Sequence, residues 1–144
     1  MYALFSVAAA VVVIDQFTKF LALSWLKPKG SIHLIPGIFH LTFVENTGIA
    51  FGFFQGHPEV LSYVIMASVL CLLCGSWFLR NQKVAERVAY GFIVGGAAGN
   101  LIDRVRFQHV IDFLDFRIWP VFNGADSFIT IGVCLFIYFA LRGR

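Results

Sequence analysis

Long apolar segments separated by more polar connections dominate the pattern of hydrophobic and polar positions along the chain. Four of them can be marked, at about residues 2–26, 60–79, 84–102 and 122–141, and the second contains no charged residue. A helix needs about 20 apolar residues to cross the hydrocarbon core of a bilayer. The pattern therefore predicts an all-α membrane protein with four transmembrane helices.

Composition supports the same class of protein. Hydrophobic residues make up 59% of the 144 residues and charged residues only 13%, where a soluble domain has about 25% charged residues. The mean hydropathy is +0.81. The net charge of +3 is small and scattered, which argues against a nucleic acid partner. This length predicts a single integral membrane domain, residues 1–144.

The first apolar segment contains two charged residues, Asp15 and Lys19. They are four positions apart with the acid first, so on a helix they share a face and neutralise each other. A cleaved signal peptide is the competing interpretation, and it would need a basic start and a small-x-small cleavage motif. No basic residue comes before the apolar run that precedes Asp15, and no small-x-small motif lies between the end of that run and Asp15, so we expect an uncleaved helix.

Basic residues in the connections predict the orientation. Arg80, Lys83 and Arg87 lie between the second and third segments, and Arg142 and Arg144 follow the fourth. Lys and Arg are enriched in cytoplasmic loops, which predicts that both termini are cytoplasmic. The opposite connections also carry basic residues and make this bias modest, namely Lys27, Lys29, Arg104, Arg106 and Arg117.

The connection at about residues 30–57 has β-strand character. Phe39 to Phe43 alternates apolar and polar residues, Glu45 to Gly48 has the composition of a turn, and Ile49 to Phe54 is apolar again. This pattern predicts a small β-hairpin or curved sheet, an extracytoplasmic β-rich cradle. The alternative is a hydrophobic loop that simply packs on the helices.

The third segment is rich in glycine. Gly91, Gly95 and Gly99 repeat every four residues, and Gly96 adds a further small position. This small-x-x-x-small pattern allows helices to approach closely in lipid. We therefore expect the third helix to pack tightly against its neighbours.

Polar residues follow these glycines at the end of the third segment. Asn100, Asp103 and Arg104 share one face of a helix, because residues three and four apart are neighbours there. The spacing predicts an inward-facing polar cluster. For Asp103 we favour a simple position at the water interface.

Two aspartates lie near the ends of apolar segments. Asp112 has apolar neighbours in Val110-Ile111-Asp112-Phe113, and Asp126 opens the fourth segment. An acid in a bilayer costs about 2.5–3.5 kcal/mol on insertion scales, which makes each a functional candidate. Asp126 has an equally good structural explanation. If Asn123 is the N-cap, Asp126 is the third helical residue of a capping box, where the helix dipole favours a carboxylate.

Two carboxylates at the mouth of a helix bundle have the composition of an aspartic protease dyad. At close range the two carboxyl groups do not easily ionise at the same time, so the pair holds one proton near neutral pH. One acid then activates a water molecule and the other protonates the substrate carbonyl. Because a helix N-terminus favours an anion, we expect Asp126 to be the base and Asp112 the protonated acid.

The three cysteines, Cys71, Cys74 and Cys134, all lie within apolar segments. Small buried hydrophobic side chains are the usual role of cysteine in such places. Cys71 and Cys74 have C-x-x-C spacing but lack a second ligand pair. We therefore expect no disulfide, no metal site and no other cofactor.

Five motifs occur in order along these segments. They are Asp15 with Lys19, Asn46-Thr47-Gly48-Ile49-Ala50-Phe51, the stretch from Gly95 to Arg104, Val110-Ile111-Asp112-Phe113, and Phe122-Asn123-Gly124-Ala125-Asp126-Ser127. Together they resemble bacterial lipoprotein signal peptidase, signal peptidase II, over essentially the whole chain. Each motif alone would be weak, but the ordered set is specific.

The resemblance implies an aspartic endopeptidase in the bacterial cytoplasmic membrane, with four transmembrane helices and a periplasmic β-cradle. Its substrate would be a prolipoprotein, cut just before a cysteine that carries diacylglycerol. The active site would face the outer side, with membrane lipids around it and no metal. We expect a monomer.

The same resemblance implies roles for individual residues. Asp112 and Asp126 match the catalytic aspartates, and Asp15 with Lys19 match a supporting polar pair in the first helix. Positions that hold substrate or orient the acids are matched by Asn46, Asn100, Arg104 and Asn123.

Functions of other classes are also compatible with intramembrane acids. A small proton-coupled transporter or channel component would use Asp15, Asp112 and Asp126 as a relay. A non-enzymatic membrane scaffold would explain the glycine-rich helix but not the acids and asparagines.

Overall fold

Long helices and short strands make up the computed structural model, which describes residues 1–48 and 58–142. The helices are α1 (Tyr2–Leu21), α2 (Pro58–Gly75), α3 (Val84–Phe107) and α4 (Gly124–Arg142). Helical turns at Ala22–Leu26 and Lys27–Lys29 extend α1, and a turn at Ser76–Leu79 extends α2. The strands are β1 (Ser31–Ile35), β2 (Phe39–Asn46) and β3 (Val110–Asp115).

The helices occupy the four predicted apolar segments, with shifted ends. Helix α3 runs on to Phe107 instead of ending at residue 102, because Asp103 and Arg104 are buried in the bundle and do not lie in a loop. Helix α4 begins at Gly124 rather than at residue 122, directly after Asn123. Pro58 opens α2, where its missing N–H costs no helical hydrogen bond.

Helix α3 differs in character from the other three. Three stretches of the described chain are long and apolar enough to cross a membrane: Tyr2–Lys29, Glu59–Leu79 and Gly124–Arg142. Helix α3 is less hydropathic because of its glycines and charged residues, and it packs against α1, α2 and α4. Its buried residues include Glu86, Asp103 and Arg104. It is therefore the central helix, shielded by its neighbours.

The glycines of α3 lie where neighbouring backbones touch it. A Cβ atom at Gly95 would lie 2.7 Å from the carbonyl oxygen of Ala8 on α1. One at Gly96 would lie 2.5 Å from the carbonyl oxygen of Ala125 on α4. Real Cβ atoms essentially never approach so closely. The predicted tight packing is confirmed, and α3 uses different glycines for different neighbours.

A three-stranded antiparallel sheet in the order β1-β2-β3 confirms the predicted β-rich region. One set of its apolar side chains packs on the end of the first helix, against Ala22 and Leu26. That set consists of Ile32, Leu41, Phe43, Ile111 and Phe113. The sheet is thus anchored to α1.

Two details of the sheet differ from the prediction. The hairpin turn lies between Ile35 and Phe39, where Gly37 has a φ of +74°, and not at Glu45 to Gly48. Glu45 and Asn46 instead continue β2, because β3 pairs with them. Strand β3 was not predicted, since its partner is distant in sequence. The apolar stretch Ile49 to Phe54 lies outside the described residues.

The prediction that the cysteines are buried is wrong. The side chains of Cys71, Cys74 and Cys134 are all exposed, and none forms a disulfide. In a membrane bundle, an apolar side chain on an outward helix face meets lipid, so apolar surroundings in sequence do not require burial within the protein.

Gly95→Ala tests the close contact between α1 and α3. Alanine should gain about 1 kcal/mol in helix propensity, yet overpacking against Ala8 should cost about 1–3 kcal/mol. We expect a lower midpoint of thermal unfolding in detergent. Gly124→Ala is the control, because its Cβ would lie an ordinary 3.7 Å from Thr18 Oγ1. Equal midpoints for the two variants would contradict the assigned packing.

Candidate active site

Asp112 and Asp126 are brought together by Asn123. Asp112 lies on β3 and Asp126 in the first turn of α4. The side-chain amide of Asn123 donates to Asp112 Oδ1 at 2.7 Å, and its backbone N–H donates to Asp126 Oδ2 at 3.2 Å. Asn123 is fully buried. One residue therefore holds both carboxyl groups.

Asn46 holds the second oxygen of Asp112. Its side-chain amide donates to Asp112 Oδ2 at 2.8 Å, and its Oδ1 accepts the N–H of Gly48 at 3.0 Å. Strand pairing sets this contact, because Asn46 on β2 is opposite Val110 on β3. Both oxygens of Asp112 thus accept a hydrogen bond from an asparagine amide.

Asn100 performs the matching function for Asp126. Its side-chain amide donates to Asp126 Oδ1 at 2.8 Å. Its own Oδ1 accepts hydrogen bonds from Lys19 Nζ at 2.9 Å and from Asn123 Nδ2 at 3.1 Å. These donors fix the orientation of the amide.

The capping role predicted for Asn123 and Asp126 is confirmed. Asn123 Oδ1 accepts the N–H of Asp126 at 3.0 Å, and Asp126 Oδ2 accepts the N–H of Asn123. This reciprocal pair is a capping box. It occupies only one oxygen of Asp126, and Asn100 contacts the other. Capping the helix therefore does not prevent the Asp126 carboxyl group from lining the cavity described below.

A buried ion network lies next to these residues. Lys19 Nζ contacts Asp15 Oδ2 at 2.8 Å and Asp103 Oδ2 at 2.9 Å. All three side chains are at most 2% exposed. Gln16 completes the network by donating to Asp103 Oδ1 at 2.9 Å. The predicted neutralisation of Asp15 by Lys19 is confirmed.

The position expected for Asp103, at the water interface, is wrong. Asp103 is buried because the ammonium group of Lys19 compensates its charge. Gln16 was not recognised from the sequence at all. The only available signal was its position next to Asp15 on an otherwise apolar helix.

The network also supports the backbone beside each candidate acid. Asp15 Oδ1 accepts the N–H of Ala125 at 3.0 Å, one residue before Asp126. Asp103 Oδ2 accepts the N–H of Ile111 at 3.1 Å, one residue before Asp112. Side chains of α1 and α3 therefore position the two acids by binding the backbone N–H of the residue before each one.

A cavity of about 440 Å³ opens beside the acids. Arg104 lies in its wall and donates from a guanidinium N–H to the carbonyl oxygen of Gly48 at 2.8 Å. Five of the residues selected from the sequence line this cavity: Asn46, Asn100, Arg104, Asp112 and Asp126. The other three, Asn123, Asp15 and Lys19, are buried around it. In the described part of the chain, no group of three or more His, Cys, Asp or Glu side chains has a metal-binding arrangement.

The environment of Asp112 favours its protonated form. Burial, with a smaller contribution from the negative charge of Asp126, outweighs the lowering effect of the Asn46 and Asn123 amides and raises the pKa of this carboxyl group to about 7. A proton is therefore available on Asp112 near neutral pH. Beside it, Asp126 accepts a backbone N–H at a helix N-terminus, where an anion is favoured.

Comparison with known proteins gives a consistent result. A family model described as "Signal peptidase (SPase) II" matches residues 7–142. The lipoprotein signal peptidase of Halothermothrix orenii is 44% identical over 133 residues, covering 92% of this chain and 91% of that protein. That of Gloeothece citriformis is 46% identical over 123 residues, covering 83% and 77%. The structure of a bacterial membrane enzyme solved by the in meso method at 2.3 Å matches with a TM-score of 0.84 and 32% identity, over 99% of this chain and 89% of that one.

The pKa of Asp112 predicts a carboxyl signal that depends on pH. A raised pKa means that Asp112 is protonated below about pH 7 and ionised above it. In infrared spectra of isotope-edited protein, its protonated C=O band should fade as pH rises through about 7. Asp126→Asn removes a neighbouring negative charge, so the transition should move to lower pH. A band that survives in Asp112→Asn and disappears in Asp126→Asn would reverse the assignment.

Lys19→Met tests the ion network. The variant leaves Asp15 and Asp103 buried without a cation, which should cost about 3–5 kcal/mol of unfolding free energy. Lys27→Met is the matched control, because it removes an ion pair with Glu45 whose side chains are 52% and 42% exposed. Such a surface pair is worth about 0–1 kcal/mol. Denaturant unfolding in detergent should separate the two variants, and equal losses would contradict the assigned role of Lys19.

Proposed function

The chain belongs to the signal peptidase II family of membrane proteases that process lipoproteins, and from this membership we propose that it is an aspartic endopeptidase. Its substrate is a prolipoprotein whose future N-terminal cysteine carries diacylglycerol. It cuts the peptide bond just before that cysteine and releases the signal peptide.

The observation that carries the proposal is the shared contact of Asn123 with Asp112 and Asp126 at the wall of one cavity. Two neighbouring acids held by one residue, one of them buried, are coupled, and they share a proton near neutral pH. Their surroundings differ, which separates their roles. Asp112 keeps the proton because it is buried, and Asp126 is the anion at a helix N-terminus.

Hydrolysis then proceeds by general acid and base catalysis. The Asp126 carboxylate takes a proton from water, whose oxygen attacks the scissile carbonyl carbon. Protonated Asp112 gives its proton to the carbonyl oxygen, and a neutral tetrahedral diol forms. Collapse of the diol breaks the C–N bond, with one proton transferred to the departing amine of the cysteine. The products are a signal peptide with a free carboxyl group and a lipidated N-terminal cysteine.

The cavity wall supplies the remaining groups. The side-chain amides of Asn46 and Asn100 donate to the carboxyl oxygens. Both residues line the cavity, where these amides also contact the substrate backbone. Arg104 contributes a permanent positive charge that stabilises charge developing on the carbonyl oxygen. Asn123, together with Asp15 and Lys19, supports the acids from outside the cavity.

The protein works as a single domain, residues 1–144, in the bacterial cytoplasmic membrane, surrounded by membrane lipids. All four helices cross the bilayer, α3 included, because its charged residues are compensated inside the bundle. Both termini are cytoplasmic, next to the basic residues Arg80, Lys83 and Arg142. The sheet and the acids then lie toward the outer face. No metal or cofactor takes part, and the protein acts as a monomer.

Cleavage of a diacylglyceryl-modified prolipoprotein by purified, bilayer-reconstituted protein tests the proposal. Asp112→Asn and Asp126→Asn should each lower kcat at least about 100-fold, the lower end of what general acid or base catalysis contributes. Substrate binding should persist, because asparagine retains the shape of the side chain. Asp115→Asn is the control on the same strand, and its activity should remain near wild type.

Near-normal turnover in either dyad variant would overturn the assigned roles. If the wild-type protein fails to cut this substrate, the endopeptidase proposal is wrong. Proton-coupled flux across vesicles, abolished by the same substitutions, would then indicate a transporter.

A further inference from the structure

A second cavity opens beside the dyad cavity and shares part of its wall. Its volume is about 490 Å³, within the range of about 300–1,000 Å³ typical of small-molecule sites. Trp119, Phe122, Asp126 and Thr130 line both cavities. The two spaces therefore meet at the candidate base. We call the second one the apolar groove.

The remaining residues of the apolar groove come from two elements. Phe116 and Ile118 belong to the connection between β3 and α4, and Ser127 and Ile131 belong to α4. The ring of Phe116 stacks on Phe122, with centroids 6.0 Å apart and planes 13° apart. The Phe116 ring also contacts Phe39 of β2, with ring centroids 4.7 Å apart. The aromatic wall is thus held in place by the sheet.

The two hydroxyl groups in the groove are already occupied. Ser127 Oγ donates to the carbonyl oxygen of Asn123 at 3.1 Å, and Thr130 Oγ1 donates to that of Asp126 at 2.9 Å. A ligand in the groove would therefore meet mainly methyl, methylene and aromatic groups. This surface fits a hydrocarbon chain and not a polar peptide.

The groove opens away from the helix bundle. Ile118 is 93% exposed, Trp119 60% and Ile131 49%. Large apolar side chains at this exposure are stable next to lipid. Since α4 is long and apolar enough to cross a membrane, the open side faces hydrocarbon or the interface. A hydrocarbon chain could enter from the bilayer without passing through water.

We propose that the apolar groove receives an acyl chain of the substrate's own lipid while the scissile peptide lies in the dyad cavity. This inference depends on the proposed function. The shared wall determines which molecule fits. A molecule that occupies the dyad cavity and the apolar groove together must carry a hydrocarbon chain next to the peptide bond that is cut at Asp126. A lipidated cysteine beside the scissile bond has this geometry.

Ile131→Trp fills the groove and tests the proposal. Two otherwise identical substrates would carry dipalmitoyl or dihexanoyl glycerol on the cysteine. The variant should lower kcat/KM for the dipalmitoyl substrate about tenfold, as steric exclusion from an apolar pocket does, and for the dihexanoyl substrate much less. Val133→Trp is the control, because Val133 is a similarly apolar residue of α4, 39% exposed, that does not line the groove.

The outcomes separate this inference from the proposed function. If wild type does not cleave the dipalmitoyl substrate, the proposed function fails. If wild type cleaves it but Ile131→Trp loses both substrates equally, or behaves like Val133→Trp, the groove does not hold the substrate's chain. Equal losses would also be the result if a bulk membrane lipid occupied the groove.

A second measurement does not depend on how well the tryptophan variant folds. A substrate with a photoreactive diazirine in one acyl chain would be bound to the inactive Asp112→Asn protein and illuminated. Cross-links should concentrate at Ile118, Trp119 and Ile131. Labelling confined to α1 or α2 would overturn the proposal.

Discussion

The buried ammonium group of Lys19 is the interaction on which the rest of the structure depends. It compensates Asp15 on its own helix and Asp103 on α3, which would otherwise be two uncompensated charges away from water. These carboxylates then accept the backbone N–H groups of Ala125 and Ile111, each one residue before a candidate catalytic acid. A single cation thus joins two helices, the start of a third helix and a strand. Losing it would disturb the bundle and the site together.

Glycine makes this network sterically possible. A Cβ atom at Gly99 would overlap Asp15 Oδ2, so any larger residue would occupy the place of that carboxylate. Gly95 and Gly96 likewise allow the backbones of α1 and α4 to contact α3 closely. In lipid, where apolar burial contributes little to helix association, such contacts and internal hydrogen bonds hold the bundle together. The close packing of the helices and the compensation of the buried charges therefore both depend on the glycines of α3.

The two acids face different environments although Asn123 joins them. Asp112 is buried on a strand, with two asparagine amides as its hydrogen-bond donors. Asp126 accepts a backbone N–H at the start of α4 and also caps that helix. Pushing two neighbouring acids toward opposite protonation states is how a dyad obtains an acid and a base at the same pH. The apolar groove beside Asp126 adds a hydrocarbon surface at the same point.

Sequence alone determined the apolar helices, the glycine-mediated packing, the capping box at Asn123 and the candidate acids Asp112 and Asp126. These features depend on composition and on spacings of a few residues, which the chain carries locally. Tertiary structure decided what depends on distant partners. Asp103 is buried because Lys19, 84 positions earlier, reaches it. Strand β3 exists because β2 pairs with it. That pairing extends β2 through Asn46, where the local sequence favoured a turn, and the hairpin turn lies before Phe39 instead. The cysteines are exposed because only the assembled bundle defines which helix faces point outward. No local pattern encodes these contacts and exposures, since they arise only when the helices and strands pack together.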